Sequence, residues 1–281
     1  MFVAAFAVCL VLSAAFVGTG AEAAEPSPYS VVYDVDIPIT VFGAVVAVSP
    51  SLVGDLPGPS CAPSCDPSTL NALDRTVIGN RSSGARLASD ILLNTAITLP
   101  FGLDALDVGF SGPPDGWRGY GADATVMLEA LSLNYALFTT VKYAALRPRP
   151  YVYDKAVGQW TKSSTNATLS FYSGHASTSF CMAAAYGYTF MKRHPGSNLV
   201  VPVWIAGEAL AAAVAYLRVH SGMHFWTDVL AGAAAGTAVG LLVPWAHDRG
   251  SDDGVGSSVS SLRAAPPPRA TGTAFSFSFL W

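Results

Sequence analysis

Residues 217–245 read LRVHSGMHFWTDVLAGAAAGTAVGLLVPW, a charged and aromatic opening that turns into a long apolar run. The run approaches the ~20 residues that span a bilayer as a helix. Within it Gly232, Gly236 and Gly240 recur every fourth residue, giving one small-residue face against which a second helix can pack closely. The opening concentrates Arg218, His224 and Asp228 in a chain of which only 12% is charged. Spaced i, i+4, His224 and Asp228 are expected on one face of this last helix.

Two earlier clusters match the third in chemistry. Lys142 is followed by Arg149-Pro150, and Ser173-Gly174-His175 precedes another apolar run. Two arginines and a lysine offer charge for a tetrahedral oxyanion, the arginines as planar forks and Lys142 as a point charge. Ser173 reads as the N-cap of a helix whose free N–H groups and dipole favour an anion. Asp228 can accept from Nδ1–H of His224 and leave Nε2 bare as a nucleophile, and His175 is then placed as the general acid. The three clusters read as a phosphate cage.

Five long helical segments are expected, at 86–107, 123–145, 174–191, 198–217 and 227–245, bounded by Gly, Pro or charged clusters such as Gly112–Gly116 and Lys192–Gly196. A more polar stretch from Leu70 to Arg86 is expected to hold a short helix. The fold class is therefore all-α, a helical bundle embedded in a membrane, with a short C-terminal β-strand. That strand is read from Phe275, Phe277, Phe279 and Trp281, which alternate with smaller residues behind a Ser-, Gly- and Pro-rich linker from Gly250 to Ala270.

The 281 residues suit one domain with appendages, divided as 1–24, 25–122, a core over 123–245, and a tail over 246–281. A hydrophobic content of 51% and a mean hydropathy of +0.40 lie toward the membrane end of the globular range. The formal net charge of -4, without a basic stripe, argues against a nucleic-acid partner. Met1–Ala24 reads as a signal peptide or an uncleaved signal anchor, and its first residues contain no Lys or Arg. For an exported chain Cys61 and Cys65 are candidates for a small loop disulfide, or else two free thiols, and Cys181 is a packing residue.

Lys-x6-Arg-Pro, Ser-Gly-His and Arg-x5-His-x3-Asp resemble the signature of the type 2 phosphatidic acid phosphatase and vanadium haloperoxidase superfamily, over about 123–245. The resemblance implies that Lys142, Arg149, Ser173, Gly174 and Arg218 bind phosphate. It makes His224 the nucleophile that forms a phosphohistidine, Asp228 its partner and His175 the acid, with no metal or other cofactor. Two positions depart from the pattern: Tyr172 stands where the family usually has Pro, and Leu217 where it usually has Ser. The helix start at Ser173 is expected to survive the first, and the second removes one hydroxyl contact. His220 is expected at the rim or in a structural role, and Glu129 and Asn134 inside the bundle.

The implied activity is hydrolysis of a phosphomonoester or diphosphate of a lipid, such as phosphatidate or a polyprenyl diphosphate. A soluble periplasmic phosphatase of broad specificity and a vanadate-dependent haloperoxidase share the signature and stay open as alternatives. A structural envelope protein would leave the match unexplained. The expected location is a bacterial-type inner membrane with the site facing the periplasm. There residues 108–122 and 192–194 lie in the cytoplasm and the broken segment 37–54 does not cross. Substrate identity and oligomeric state are not encoded in these patterns.

Overall fold

The computed structural model describes residues 27–49, 58–62, 64–112 and 115–250. The signal or anchor segment, nearly all of the linker and the aromatic terminal strand lie outside them. Among the described residues eight α-helices follow in order: α1 (Tyr33–Val48), α2 (Ala72–Arg75), α3 (Ser83–Ser111), α4 (Gly116–Ala145), α5 (Gln159–Lys162), α6 (Gly174–Arg193), α7 (Val200–His220) and α8 (Trp226–His247). No sheet forms among the described residues, where Tyr29 and Asp248 make one isolated bridge.

Short polar side chains set the helix ends. The Ser82 hydroxyl accepts from the Ala85 N–H at 3.1 Å and starts α3, which ends at Gly112 with φ 57°. Ser173 caps α6 in the same way, accepting from Ala176 N–H. Asp228 at the third position of α8 accepts from the Phe225 N–H at 2.9 Å. The expected segments are all helical but longer, most of all α4, which begins at Gly116 rather than near 123.

Helix α6 lies at the centre, packed against α3, α4, α7 and α8. Leu93 and Ile97 of α3, Met127 and Leu131 of α4, and Met182 and Tyr186 of α6 form the main apolar core. The glycine face of α8 is its contact with α6. A methyl group at Gly232, Gly236 or Gly240 would collide with the carbonyl oxygens of Ser173, Ser177 and Cys181 in turn. Cys181 is buried in this contact, and Glu129 and Asn134 are inside the bundle, as expected.

Burial in α1 is the reverse of a water-soluble helix. Asp36, Thr40 and Gly43 face inward, while Ile37, Val41, Phe42 and Val45 are exposed. Leu199, Val201 and Ile205 on α7 and Leu230 and Leu242 on α8 extend this apolar exterior. So continuous an apolar surface is matched to lipid rather than water. Four stretches, 83–111, 116–152, 200–220 and 226–247, contain helices long and apolar enough to cross a membrane.

The expectation that 37–54 stays on one side is corrected. Residues 28–30 bond to residues 247–249 at the far end of α8, with Ser30 N–H donating to His247 O at 2.7 Å and Arg249 N–H to Pro28 O at 2.9 Å. Gly43 then abuts Ser132 halfway along α4, and Gly58 abuts Ser163 near the cage. The chain thus runs from one end of the bundle to the other between residues 30 and 58, with α1 beside α4. Pro38 and Gly43 suggested a broken segment, but Pro38 lies within the helix and Gly43 is its contact point. Residues 28–30 therefore lie at the end opposite the cage, which removes the parity that placed them on the same side.

Candidate active site

The cage forms where α3, α6 and α8 begin and α4 and α7 end. Lys142 sits in the last turn of α4 and Arg149 just beyond it, Ser173 caps α6 with Gly174 and His175 in its first turn, and Arg218 lies in the last turn of α7. Arg149, Ser173, Arg218, His224 and Asp228 are buried, while Lys142, Gly174 and His175 are partly exposed. The three clusters therefore converge at one end of the bundle.

His224 does not lie on α8, as its spacing suggested, but two residues before it. Its Nδ1 faces the Ser170 carbonyl oxygen at 2.9 Å, and Asp228 Oδ2 stands farther away at 3.6 Å. A carbonyl can only accept, so Nδ1 carries the hydrogen. On the other side Arg149 Nη1, which can only donate, approaches Nε2 at 3.4 Å. Both neighbours select the tautomer with a bare Nε2. Burial, with Arg149, Lys142 and Arg218 nearby, holds this imidazole well below the usual histidine range. Nε2 is thus an unprotonated lone pair among positive charges.

Asp228 acts on His224 through an intermediary. Its Oδ2 accepts from the Ser170 hydroxyl at 2.5 Å and from Phe225 N–H, while Oδ1 receives Arg147 Nη1 at 2.5 Å. Ser170, whose carbonyl holds the imidazole, is therefore itself held by Asp228. Arg147 also donates to Asp74 Oδ2 at 2.8 Å and to the Thr227 hydroxyl at 2.7 Å, and stacks on Phe225 with 4.5 Å to the ring centroid. Asp74 accepts from Thr227 N–H and from Asn71 as well. Although burial raises its pKa, hydrogen bonds from Thr227, Arg147 and Asn71 hold it below the usual carboxylate range.

On the opposite wall Asp90 of α3 joins the other two cage groups. Its Oδ1 lies 2.8 Å from His175 Nε2 and 3.1 Å from Arg218 Nη1. Arg218 also donates to Ser89, and its buried Nε has no hydrogen-bond partner among the described residues. The two guanidinium groups are not equivalent. Asn166 takes Nε and Nη2 of Arg149 through its backbone and side-chain oxygens at 2.8 and 3.0 Å, and Met223 O takes Nη1 at 2.9 Å. The expected fork of Arg149 is thus largely engaged by protein, and Arg218 retains a buried donor. Lys142 Nζ donates to Leu169 O at 2.9 Å.

Sequence reading missed Arg147, Asp74, Asp90, Asn166 and Ser170. Arg147 carried a signal in Arg147-Pro148-Arg149-Pro150, since the residue before a proline is held extended and the two arginines share that constraint. Of the departing positions, Tyr172 is buried and leaves the cap at Ser173 intact. His220 is exposed and stacks on Tyr216 outside the cage. Cys61 and Cys65 are joined in a disulfide.

No curated protein matches the chain. Among solved structures it is similar to the first transmembrane PAP2 type phosphatidylglycerolphosphate phosphatase from Bacillus subtilis, at 21% identity, over 75% of this chain and 94% of that one, with a TM-score of 0.45. Residues 123–251 match the family model of the PAP2 superfamily. This stretch, a little under half of the chain, holds Lys142, Arg149, Ser173, Gly174, His175, Arg218, His224 and Asp228 together, and over it the chain is similar to the PAP2 superfamily.

Proposed function

We propose that this protein is a membrane-embedded phosphatase that hydrolyses a phosphomonoester or diphosphate of a lipid through a phosphohistidine on His224. The observation that carries the reading is the bare Nε2 of His224, fixed by Ser170 and Arg149 beside buried cations that include the unpartnered Nε of Arg218. The match of residues 123–251 to the PAP2 superfamily model supports phosphatase chemistry, and the apolar exterior supports a substrate drawn from the bilayer.

Asp90 Oδ1 occupies the position of an anionic oxygen between Arg218 and His175. An entering phosphate oxygen takes over both hydrogen bonds and displaces the like-charged carboxylate. Nε2 of His224 then attacks phosphorus in line, forming the N–P bond as the bond to the leaving oxygen breaks. Lys142, Arg149, Arg218 and the first N–H groups of α6 stabilise the charge spread over the remaining oxygens. His175, whose neutral form burial and Arg218 favour before substrate enters, takes up a proton as the phosphate's negative charge arrives beside it and gives that proton to the departing oxygen. In the second half it takes a proton from water, which attacks phosphorus, and phosphate leaves with His224 restored.

The test is phosphate release by detergent-purified protein from a panel of lipid monophosphates, lipid diphosphates and soluble esters, beside His224→Ala. The proposal expects release from a lipid substrate that the variant abolishes. Equal release by both proteins, or turnover confined to soluble esters, would overturn it.

A further inference from the structure

Helix α8 ends on His247, which is 1% exposed. Its Nδ1 faces the Val243 carbonyl oxygen at 2.8 Å, so Nδ1 carries a hydrogen and Nε2 is the nitrogen left to ligate once the ring is neutral. Nε2 makes no hydrogen bond among the described residues. It lies 3.5 Å from Asp36 Oδ1 of α1 and 3.5 Å from Glu129 Oε2 of α4. All three residues are buried, and their ligand atoms lie within 4.8 Å of one another.

Spacing and donor chemistry both point to a cation. An imidazole hydrogen-bonded to a carboxylate closes to about 2.7–3.2 Å. Ligands set tetrahedrally about zinc at about 2.0–2.1 Å stand ~3.4 Å apart. Two carboxylate oxygens and an imidazole nitrogen meet at one point in the bundle interior, the hard-oxygen and imidazole donor set that a zinc-type ion takes. Supporting bonds already hold two ligands in place. Val32 N–H donates to the second oxygen of Asp36 at 2.7 Å, and Val243 O fixes the imidazole.

We propose that Asp36, Glu129 and His247 bind a divalent transition cation of the zinc type, with water as the fourth ligand, pinning α1 to α4 and α8. The site lies at the opposite end of α8 from the cage and takes no part in phosphate chemistry. It supplies the binding energy that the inward face of α1, built of Asp36, Thr40 and Gly43, lacks in apolar contact.

Protein purified in detergent through a histidine-free tag, without chelator, should contain about one zinc per chain by mass spectrometry of the metal. After stripping, Co2+ should give a visible absorption band that saturates near one equivalent, and added Zn2+ should raise Tm. His247→Gln and Glu129→Gln should abolish both responses. No zinc and no saturable Co2+ band in the wild type would overturn the proposal and leave a proton-bridged cluster. A band that persists in both variants would overturn it equally. Should a variant fail to fold, the wild-type stoichiometry and Co2+ titration decide alone.

Discussion

Helix α8 has a buried histidine at each end, and the two environments are opposite in charge. His224 is surrounded by Arg149, Lys142 and Arg218, with Asp228 already neutralised by Arg147, so the pocket has cations to spare. His247 instead meets the carboxylates of Asp36 and Glu129. In both, a backbone carbonyl takes Nδ1–H and leaves Nε2 directed at the cluster. On the two proposals made above, one orientation device serves two purposes: surrounded by cations the lone pair is a nucleophile for a phosphate, and beside carboxylates it is a metal ligand.

The largest expected effect separates the ends. His224→Ala should lower phosphate release by on the order of 10^4-fold or more, with Zn2+ stabilisation intact. His247→Gln should lose the stabilisation by Zn2+ while the folded fraction turns over at nearly the wild-type rate. Assays of turnover and melting on both variants check this, and a matching loss of turnover in each would erase the distinction.

Next in size is the support behind the nucleophile. Arg147→Met leaves the buried carboxylates of Asp74 and Asp228 without their shared counter-charge. The cost expected is about 3–5 kcal/mol, read as a lower Tm in detergent; an unchanged Tm would show that Arg147 is dispensable. Asp90→Asn acts on the opposite wall, removing the carboxylate that in the proposed mechanism competes with phosphate at Arg218 and His175. Inorganic phosphate should inhibit this variant at concentrations lower by about fivefold, the worth of ~1 kcal/mol at a half-exposed group. Weaker inhibition would assign Asp90 to holding Arg218 rather than to competing for it.

The smallest effect is on acid stability. Unfolded, His224 titrates near 6.5, whereas in the fold it is held well below that range. Below pH ~6.5 the unfolded chain therefore binds a proton that the folded one does not, and stability is lost as pH falls from there toward the folded value. Tm measured against pH should fall more steeply on the acid side for wild type than for His224→Gln. Parallel curves would mean that the imidazole is not held neutral by its surroundings.

The cage was legible in sequence because its residues are spaced within local elements: Ser173 caps the helix that carries His175, and Lys142 closes the helix before Arg149. The five long apolar helices were legible for the same reason. Contacts between distant segments were not. Asp74 reaches Arg147, and Asp90 reaches both Arg218 and His175, through packing that no local pattern records. Spacing also overreached at His224, where the i, i+4 distance suggested a direct bond to Asp228 but the chain enters α8 later and inserts Ser170 between them. In α1 the reading failed because Pro38 and Gly43 were taken as breaks; the first lies inside the helix and the second is where Ser132 packs.

The central claim is that His224 carries the phosphoryl group. Quenching wild-type protein in alkali during turnover preserves phosphohistidine, and peptide mass spectrometry then locates it. A phosphoryl group on His224, absent without substrate and absent in His224→Gln, is the predicted result. Steady phosphate release with no phosphoryl group on His224, or with one on another residue, would contradict it.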